Sequence, residues 1–325
     1  MPALVTGASG FLGGRLAQVL VGRGEQVTVL ARAGADTRHL DGLPLRVVTG
    51  PLSDPAALAA AVRGVAHIYH CAACSSDWAP WRVFEEANVS GVRNLLAAAA
   101  TVSTLRRFLH VSTTDVYGYP RVPCDESHPV ADVGLPYNST KCAGENCVQQ
   151  AGLAGLPITI LRPATIYGPR GKEFVVTIAK HIRTRTMAVI DGGRSAGGFA
   201  YVDNVVDAMI DAAQSPATLN RVYNIADGTG ASWQAYVTAL AEGLREPRPW
   251  IDLPSAIAWP LARAMEAVHS TLRLPGRPLL TRHAVFLLSR DQEFPAGAAR
   301  RDFHFRPNVS FGEGISRTLE WLAKR

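Results

Sequence analysis

The sequence predicts an α/β protein built on a doubly wound parallel sheet, with a smaller α/β substrate domain interleaved toward the C-terminus. Apolar runs of strand length alternate with helix-length segments, as they do in repeated βαβ units. The runs lack a polar face, which is typical of strands buried between two helix layers. A glycine-rich segment follows the first run and opens the first helix, and this order predicts a Rossmann-type dinucleotide fold.

The spacing of these runs gives the element order. The predicted strands cover residues 3–5, 27–30, 65–69, 108–111 and 158–161, and the predicted helices cover 11–23, 55–63, 81–101 and 137–152. After Pro163 the alternation becomes irregular, and a strand at 199–202, a helix at 203–213 and a strand at 222–225 are expected to return to the main sheet. We therefore predict a dinucleotide-binding domain over 1–166, joined by 199–226, and a substrate-binding domain over 167–325.

Composition excludes several classes of protein. Hydrophobic residues make up 47% of the 325 residues, and no run reaches the roughly 18 apolar residues that a membrane-spanning helix needs. The net charge of +6 is spread thinly along the chain, which favours small anionic ligands over nucleic acid. The N-terminus lacks the basic and apolar regions of a signal peptide, and the five cysteines are an odd number, so we expect reduced thiols and a cytoplasmic location.

The first predicted strand leads into a loop suited to the pyrophosphate of a dinucleotide. Glycines let backbone amides approach the phosphates at the start of a helix, where the helix dipole favours negative charge. The spacing is Gly-x-x-Gly-x-x-Gly, and a tight turn without a ligand is the structural alternative. The residues expected to contact the cofactor here are Gly7, Ser9, Gly10, Phe11, Leu12 and Gly13.

The end of the second strand bears on the choice between NAD and NADP. Dinucleotide folds that bind NAD usually place an acidic residue there, whereas an arginine suits the 2′-phosphate of NADP. This chain has Ala31 followed by Arg32, with Arg15 after the glycine loop and Arg38 nearby. The pattern favours NADP, with NAD as the alternative, because a guanidinium is also tolerated beside NAD and Arg32 could be a solvated strand end.

Tyr137 and Lys141 are four residues apart and therefore share one face of a predicted helix. An ordinary phenol, with a pKa of about 10, is a poor acid or base at neutral pH, and a neighbouring ammonium favours the phenolate. We expect Tyr137 to exchange a proton with the substrate oxygen and Lys141 to hold both the phenol and the nicotinamide ribose. The pair alone is common on surface helices, and it becomes informative in order after the glycine loop.

Hydroxyl side chains follow the predicted strand at 108–111. Thr113, four residues before Tyr117, is expected to polarise the substrate oxygen, with Ser112 and Thr114 as alternatives. Asn88, in the helix before this strand, is expected to brace the strand or a water in a proton relay. These residues complete a predicted catalytic set of Thr113, Tyr137, Lys141 and Asn88.

At these residues the chain resembles the extended short-chain dehydrogenase/reductase superfamily, in its epimerase/dehydratase-like group. The branch it resembles most contains 3β-hydroxysteroid dehydrogenases and 3-ketoacid reductases. The segments that carry the resemblance span essentially the whole chain: 6–13, 70–73, 88–91, 111–118, 137–141, 161–163, 167–169 and 199–203, with 77–81 and 274–282 for the branch.

The resemblance implies a Rossmann-type domain, a small C-terminal substrate domain, the roles given above for Thr113, Tyr137 and Lys141, and a homodimer. It also implies cofactor contacts by Leu52, Ala72 and Pro163. Two departures stand out. Gly50-Pro51-Leu52 stands where many members have an acid near adenine, so that contact is lost or left to the backbone. Thr114-Asp115 keeps at most one acid of the pair that sugar-nucleotide dehydratases carry, which argues against dehydration.

Other patterns allow other interpretations. The histidines and cysteines of 67–74 could bind zinc, but alternation along a strand separates them, and no metal site is predicted. Trp78 and Trp81 suit either an apolar substrate or core filling. Segment 257–274 has apolar residues at helical spacing, which favours a substrate lid or dimer contact over a helix lying on a membrane surface.

The sequence therefore predicts an NADPH-preferring oxidoreductase that interconverts a ketone and a secondary alcohol on a largely apolar small molecule. A sugar-nucleotide epimerase with tightly held NAD is the alternative. A dinucleotide sensor without turnover is a third hypothesis, which the presence of both Tyr137 and Lys141 disfavours.

Overall fold

A seven-stranded parallel sheet forms the centre of the protein. The computed structural model describes all 325 residues. The strands are β1 (Pro2–Thr6), β2 (Gln26–Ala31), β3 (Leu45–Thr49), β4 (His67–His70), β5 (Arg107–Val111), β6 (Ile158–Pro163), β7 (Thr165–Tyr167), β8 (Ala188–Ile190), β9 (Phe199–Tyr201), β10 (Arg221–Ile225) and β11 (Ile251–Leu253). The main sheet has the order β10-β6-β5-β4-β1-β2-β3, with every neighbouring pair parallel. The predicted doubly wound fold is confirmed.

Helices cover both faces of this sheet. The helices of the chain are α1 (Phe11–Gly22), α2 (Pro55–Ala61), α3 (Trp81–Glu85), α4 (Gly91–Ala99), α5 (Pro136–Leu153), α6 (Ile178–Arg183), α7 (Val202–Gln214), α8 (Trp233–Gly243), α9 (Ser255–Leu272), α10 (Arg282–Ser289), α11 (Gly297–Phe303) and α12 (Phe311–Ala323). Side chains alternate along the strands between two cores. Tyr69 and Leu109 face the core with α1 and α7, whereas Ile68 and Phe108 face the core with α2, α4 and α5.

The region expected to return to the main sheet does so only in part. β10 joins the sheet beside β6, and α7 packs against the sheet. The prediction that the strand at 199–202 also joins the main sheet is wrong. β9 instead pairs in parallel with β7 in a separate two-stranded sheet. The reason is aromatic packing, because Tyr167, Phe199 and Tyr201 are fully buried against one another, with Tyr167 and Tyr201 ring centroids 5.4 Å apart.

The helix predicted over 81–101 is interrupted. A π-helical turn at Glu86–Ser90 separates α3 from α4 and turns the backbone of Asn88 toward α5. A Cβ atom at Gly144 of α5 would lie only 2.1 Å from the Asn88 carbonyl oxygen. Glycine is therefore required where α5, the helix of Tyr137, crosses this turn.

We predict that Gly144→Ala destabilises the protein by about 2 kcal/mol or more, because backbone must move to admit the methyl group. The matched control is Gly22→Ala at the end of α1, where no atom lies within 4 Å of the new methyl. We expect Gly22→Ala to change the free energy of unfolding by less than about 0.5 kcal/mol. Urea unfolding of both variants measures the difference, and equal stability of the two would contradict the close approach.

The C-terminal elements form a cap over the carboxyl ends of the strands near β5. In α9, Ala258, Ala262 and Glu266 are buried, and Glu266 binds Arg282 of α10 at 2.6 Å. The opposite face leaves apolar side chains exposed, namely Ile257, Leu261, Val268 and Leu272. This stripe lies on the predicted helix and fits a lid, a dimer contact or a surface-lying helix equally well. No helix in the structure has the length and apolar character needed to cross a membrane.

Candidate active site

The glycine loop is packed against the end of β4. Gly7 has a left-handed backbone with φ of +71°, and a Cβ there would lie 2.7 Å from the Ala72 nitrogen. A Cβ at Gly13 would lie 2.6 Å from the Gly7 carbonyl oxygen. Gly10 precedes α1 and provides no side-chain cap, so the first amides of α1 are free for an anion. These features fit the pyrophosphate of a dinucleotide.

The other loop residues surround this cradle. Ser9, Phe11 and Leu12 are half-buried, and Phe11 and Leu12 also pack against the main core. The Thr6 hydroxyl accepts from the Ala72 amide at 3.2 Å and contacts His70 Nδ1 at 2.8 Å, which ties the two strand ends together. The predicted cofactor residues of the loop therefore lie at one edge of the sheet.

The arginines predicted near the cofactor have different surroundings. Arg32 follows β2, is exposed and has no ion pair or side-chain hydrogen bond. Arg38 pairs with Asp36 at 2.8 Å, and Arg15 pairs with Asp203 of α7 at 2.6 Å. Arg32 is consequently the one of the three whose guanidinium is free for a 2′-phosphate, and Arg15 serves the contact between α1 and α7.

The three cofactor residues implied by resemblance lie at the carboxyl ends of three strands of the main sheet, β3, β4 and β6. Leu52 follows β3 and its carbonyl accepts from Asn94 Nδ2 at 3.0 Å. Ala72 follows β4, beside Gly7. Pro163 is buried at the end of β6, whose register with β5 pairs Val111 with Leu161. Carboxyl ends of parallel strands are the usual ligand-binding edge of such a sheet.

The predicted catalytic residues come together at this edge. Tyr137 and Lys141 lie in the first turns of α5, and Thr113 lies directly after β5. The Thr113 hydroxyl accepts from the Asp115 amide at 3.2 Å, which leaves its own proton free, and it lies near the Tyr137 phenol, whose ionised form it favours. The Lys141 ammonium is buried and donates to the Val111 carbonyl at 2.8 Å. A phenol, a hydroxyl and an ammonium therefore converge beside the glycine loop.

The predicted effect of Lys141 on the phenol is wrong for the ligand-free protein. Burial and the charge of Asp115 raise the pKa of Tyr137 above its ordinary value, although the nearby Thr113 hydroxyl acts in the opposite direction. Burial lowers the pKa of Lys141 to about 8, against the charges of Glu145 and Asp115. The phenol is therefore protonated at neutral pH, as a proton donor must be before it acts.

Asn88 braces a loop and does not contact the end of β5. Its Oδ1 accepts from the Cys74 amide at 2.8 Å, and its Nδ2 donates to the Cys74 carbonyl at 3.2 Å and to Thr140 Oγ1 at 3.1 Å. The side chain is thereby fixed between the loop after β4 and α5. The predicted brace of β5 is therefore wrong, because protein groups of the loop after β4 and of α5 use the whole side-chain amide.

Of the alternatives to Thr113, Ser112 is engaged elsewhere. Its hydroxyl donates to Glu145 Oε2 at 2.6 Å, and Glu145 also binds Arg162 of β6. Both members of this ion pair are almost fully buried, at 1% and 3% exposure of their side chains. The pair fixes α5 against β5 and β6, and so positions Tyr137 against Thr113.

Sequence reasoning gave no role in the cleft to three residues that complete it, namely Asp115, Tyr119 and His283. Asp115 lies two residues after Thr113 and accepts from the Tyr119 hydroxyl at 3.0 Å. His283 of α10 binds Asp115 with Nε2 and Oδ2 2.8 Å apart. The ring centroids of His283 and Tyr137 are 5.7 Å apart. Asp115 was visible as one retained acid, but no local pattern connects it to a histidine 168 positions along the chain.

Two tryptophans and two histidines remain from the sequence predictions. Trp78 is half-buried and meets the His269 ring of α9 edge-on at 6.2 Å, whereas Trp81 is 55% exposed. His67 and His70 occupy opposite ends of β4. The structure contains no group of three or more His, Cys, Asp or Glu side chains that could hold a metal ion.

Comparison with known proteins gives the same assignment as the geometry. The model of the NAD dependent epimerase/dehydratase family matches residues 3–226, which is more than half of the chain. The chain belongs to this family. It is an NAD(P)-dependent enzyme of the extended short-chain dehydrogenase/reductase type, and the predicted resemblance is confirmed.

Two curated relatives cover nearly the whole chain. A 2-alkyl-3-oxoalkanoate reductase of Stenotrophomonas maltophilia is 30% identical over 98% of this chain and 98% of its own length. A 4-hydroxy-2-methyl-3-oxo-4-farnesyl-3,4-dihydroquinoline-1-oxide ketoreductase of Stigmatella aurantiaca is 31% identical over 97% of this chain and 95% of its own length. The family that includes this chain thus contains ketoreductases.

A solved structure supports the fold. The UDP-glucuronic acid 4-epimerase of Bacillus cereus, in complex with NAD, superposes with a TM-score of 0.79 at 21% identity, covering 100% of this chain and 99% of that one. At this identity the likeness concerns the fold alone.

Proposed function

We propose that the protein is an NADPH-preferring oxidoreductase that interconverts a ketone and a secondary alcohol on a largely apolar small molecule. The observation that carries the proposal is that Tyr137, Thr113 and Lys141 come together at the carboxyl edge of the sheet beside the glycine loop. A phenol and an aliphatic hydroxyl at the same strand edge can both donate to one carbonyl oxygen. The two ketone-reducing relatives support this reaction type.

Each side chain has a separate task. Bound NADPH would supply the hydride. Tyr137, protonated at neutral pH, would give its proton to the substrate oxygen, while Thr113 donates a second hydrogen bond and stabilises the developing charge. Lys141, which bonds the Val111 carbonyl, would hold the nicotinamide ribose with its remaining protons.

The preference for NADP rests on Arg32. We predict that Arg32→Ala raises the Kd for NADPH about 10- to 100-fold, because a charge-assisted contact to a phosphate contributes about 1.5–3 kcal/mol. The Kd for NADH should change less than about twofold, since NADH has no 2′-phosphate. Arg38→Ala is the matched control because Arg38 is already paired with Asp36. Quenching of intrinsic fluorescence measures all four affinities, and an equal loss for both cofactors would contradict this assignment.

An apolar substrate is supported by the side chains around the cleft. Trp78 lies in the loop after β4, and Phe286 of α10 stacks on Tyr119 with ring centroids 5.1 Å apart. Trp259 of α9 lies 4.4 Å from Phe286. We accordingly propose that residues 167–325, without the returning segment, bind the substrate. A homodimer and a cytoplasmic location stay predictions.

A two-step experiment tests the function. Thermal shift with NADPH and NADH identifies the bound cofactor, and a panel of apolar ketones is then screened for loss of reduced-nicotinamide absorbance. Net NADPH oxidation with a ketone is the expected result. Co-purification of NAD with turnover of a sugar nucleotide and no net cofactor consumption would instead establish the epimerase, and cofactor binding with no turnover of either class would favour a sensor.

A further inference from the structure

An imidazole from the C-terminal part of the chain lies beside the Tyr137 phenol. His283 is the second residue of α10, and its ring is 5.7 Å from that of Tyr137, at an angle of 54°. Its Nε2 lies 2.8 Å from Asp115 Oδ2, which also accepts from Tyr119. Because Asp115 follows Thr113 by two residues, one short segment positions both the substrate-facing hydroxyl and this carboxylate.

The contact with Asp115 uses one imidazole nitrogen and leaves the other free. Nδ1 of His283 has no hydrogen-bond partner in the structure, and 13% of the side chain is exposed. A carboxylate that accepts from one imidazole nitrogen fixes the ring and stabilises its protonated form. The free nitrogen can therefore exchange a proton between solvent and the cleft.

Reduction would remove one proton from Tyr137 in each turnover, and that proton must be replaced. The Asn88 amide, which sequence reasoning assigned to a relay, is fully bonded to Cys74 and Thr140. The Lys141 ammonium lies on the β5 side and bonds the Val111 carbonyl. His283 contacts the Tyr137 ring from α10 in the C-terminal part of the chain, and its side chain is partly exposed.

We propose that His283 returns the proton to Tyr137 after each turnover, with Asp115 as its positioning residue; this inference rests on the proposed reductase function. Once Tyr137 has protonated the substrate oxygen, the Nδ1–H bond of the His283 imidazolium breaks and the phenol O–H bond forms again, directly or through one water. The neutral imidazole then takes a proton from solvent, and Asp115 only holds the ring in place. One solvent proton thereby replaces the one that leaves with the alcohol.

The charges around His283 set the direction of the pH dependence. Burial alone would lower the pKa of His283, but the hydrogen bond and charge of Asp115 raise it above its ordinary value. The charged and titratable side chains facing it are Asp115, Tyr119, Tyr137, Asp77, Glu173 and Arg277, the last of which pairs with Asp77 and Glu173. Because reduction needs the imidazolium, kcat should be constant at low pH and fall as pH rises through this raised pKa.

The decisive variant is His283→Gln, compared in single-turnover and steady-state reduction. Tyr137 already carries a proton when the first turnover begins, so the first hydride transfer should stay within about twofold of the wild-type rate. Steady-state kcat should fall about 100-fold, the usual scale of a lost proton-transfer group. Added imidazole should restore part of the loss. His128→Gln, which alters the exposed His128–Asp125 pair, should leave both rates unchanged.

Equal slowing of the first and later turnovers would overturn the relay, because it would make His283 a structural or positioning residue only. Unchanged steady-state turnover would also overturn it.

Asp115→Asn gives a second measurement if His283→Gln does not fold. NMR titration of the ligand-free protein should show a lower imidazole pKa for His283 in Asp115→Asn than in the wild type, and an unchanged pKa would contradict the pairing. Absence of any first turnover in the wild type would instead count against the reductase function itself.

Discussion

Tyr137→Phe is expected to lower kcat for ketone reduction about 10³-fold while leaving the Kd for NADPH within about twofold of the wild type. The variant removes the phenol proton and keeps the ring, and the ring packs against His283 at 5.7 Å. Thr113 and Lys141 stay in place, because the Val111 carbonyl that Lys141 binds belongs to β5. Stopped-flow absorbance and a fluorescence titration measure the two quantities.

A matched tyrosine separates this chemical effect from a loss of packing. Tyr236 is fully buried, and its hydroxyl donates to the Phe174 carbonyl at 2.7 Å, far along the chain from the cleft. Tyr236→Phe should cost about 1 kcal/mol of stability and leave kcat unchanged. If Tyr137→Phe retained more than about a tenth of wild-type turnover, another group would have to be the proton donor.

The sheet could be predicted from sequence because its signals are local. The run 3–5 is apolar on both faces, and only a strand between two helix layers buries both. The glycine loop and the Tyr137–Lys141 spacing are likewise short patterns whose geometry follows from a turn and from one helix face. Each predicted element of the main sheet lies within about two residues of its observed bounds.

The rest depends on contacts between distant segments. The π-helical turn at Glu86–Ser90 depends on α5, which packs on it. The pairing of β9 with β7 depends on the aromatic contact between Tyr167 and Tyr201. Arg15 follows the glycine loop in the sequence, where a cofactor contact is expected. In the structure it instead pairs with Asp203, which is 188 residues away. His283 enters the site in the same way. Charge partners of this kind change what a side chain can do and leave no local trace in the sequence.

Glu145→Gln is expected to destabilise the ligand-free protein by about 3–5 kcal/mol, because it leaves the buried Arg162 guanidinium without its counter-charge. Glu145 accepts from the Ser112 hydroxyl at 2.6 Å and from Arg162 Nε at 3.2 Å, and it keeps α5 in register with β5 and β6. The charge of Glu145 also opposes the effect of burial on the pKa of Lys141. The variant should therefore lower that pKa further and weaken cofactor binding at neutral pH.

Urea unfolding measures the change in the free energy of unfolding. A more exposed ion pair serves as the comparison. Asp203→Asn removes the partner of Arg15, whose side chain is 42% exposed, and should cost less than about 1 kcal/mol because solvent screens such pairs. The double variant Glu145→Leu with Arg162→Met should recover most of the stability lost in Glu145→Gln, since it leaves no unpaired charge in the core. A loss below about 1 kcal/mol in Glu145→Gln would mean that water reaches Arg162, and the ion pair would then not be what positions Tyr137 against Thr113.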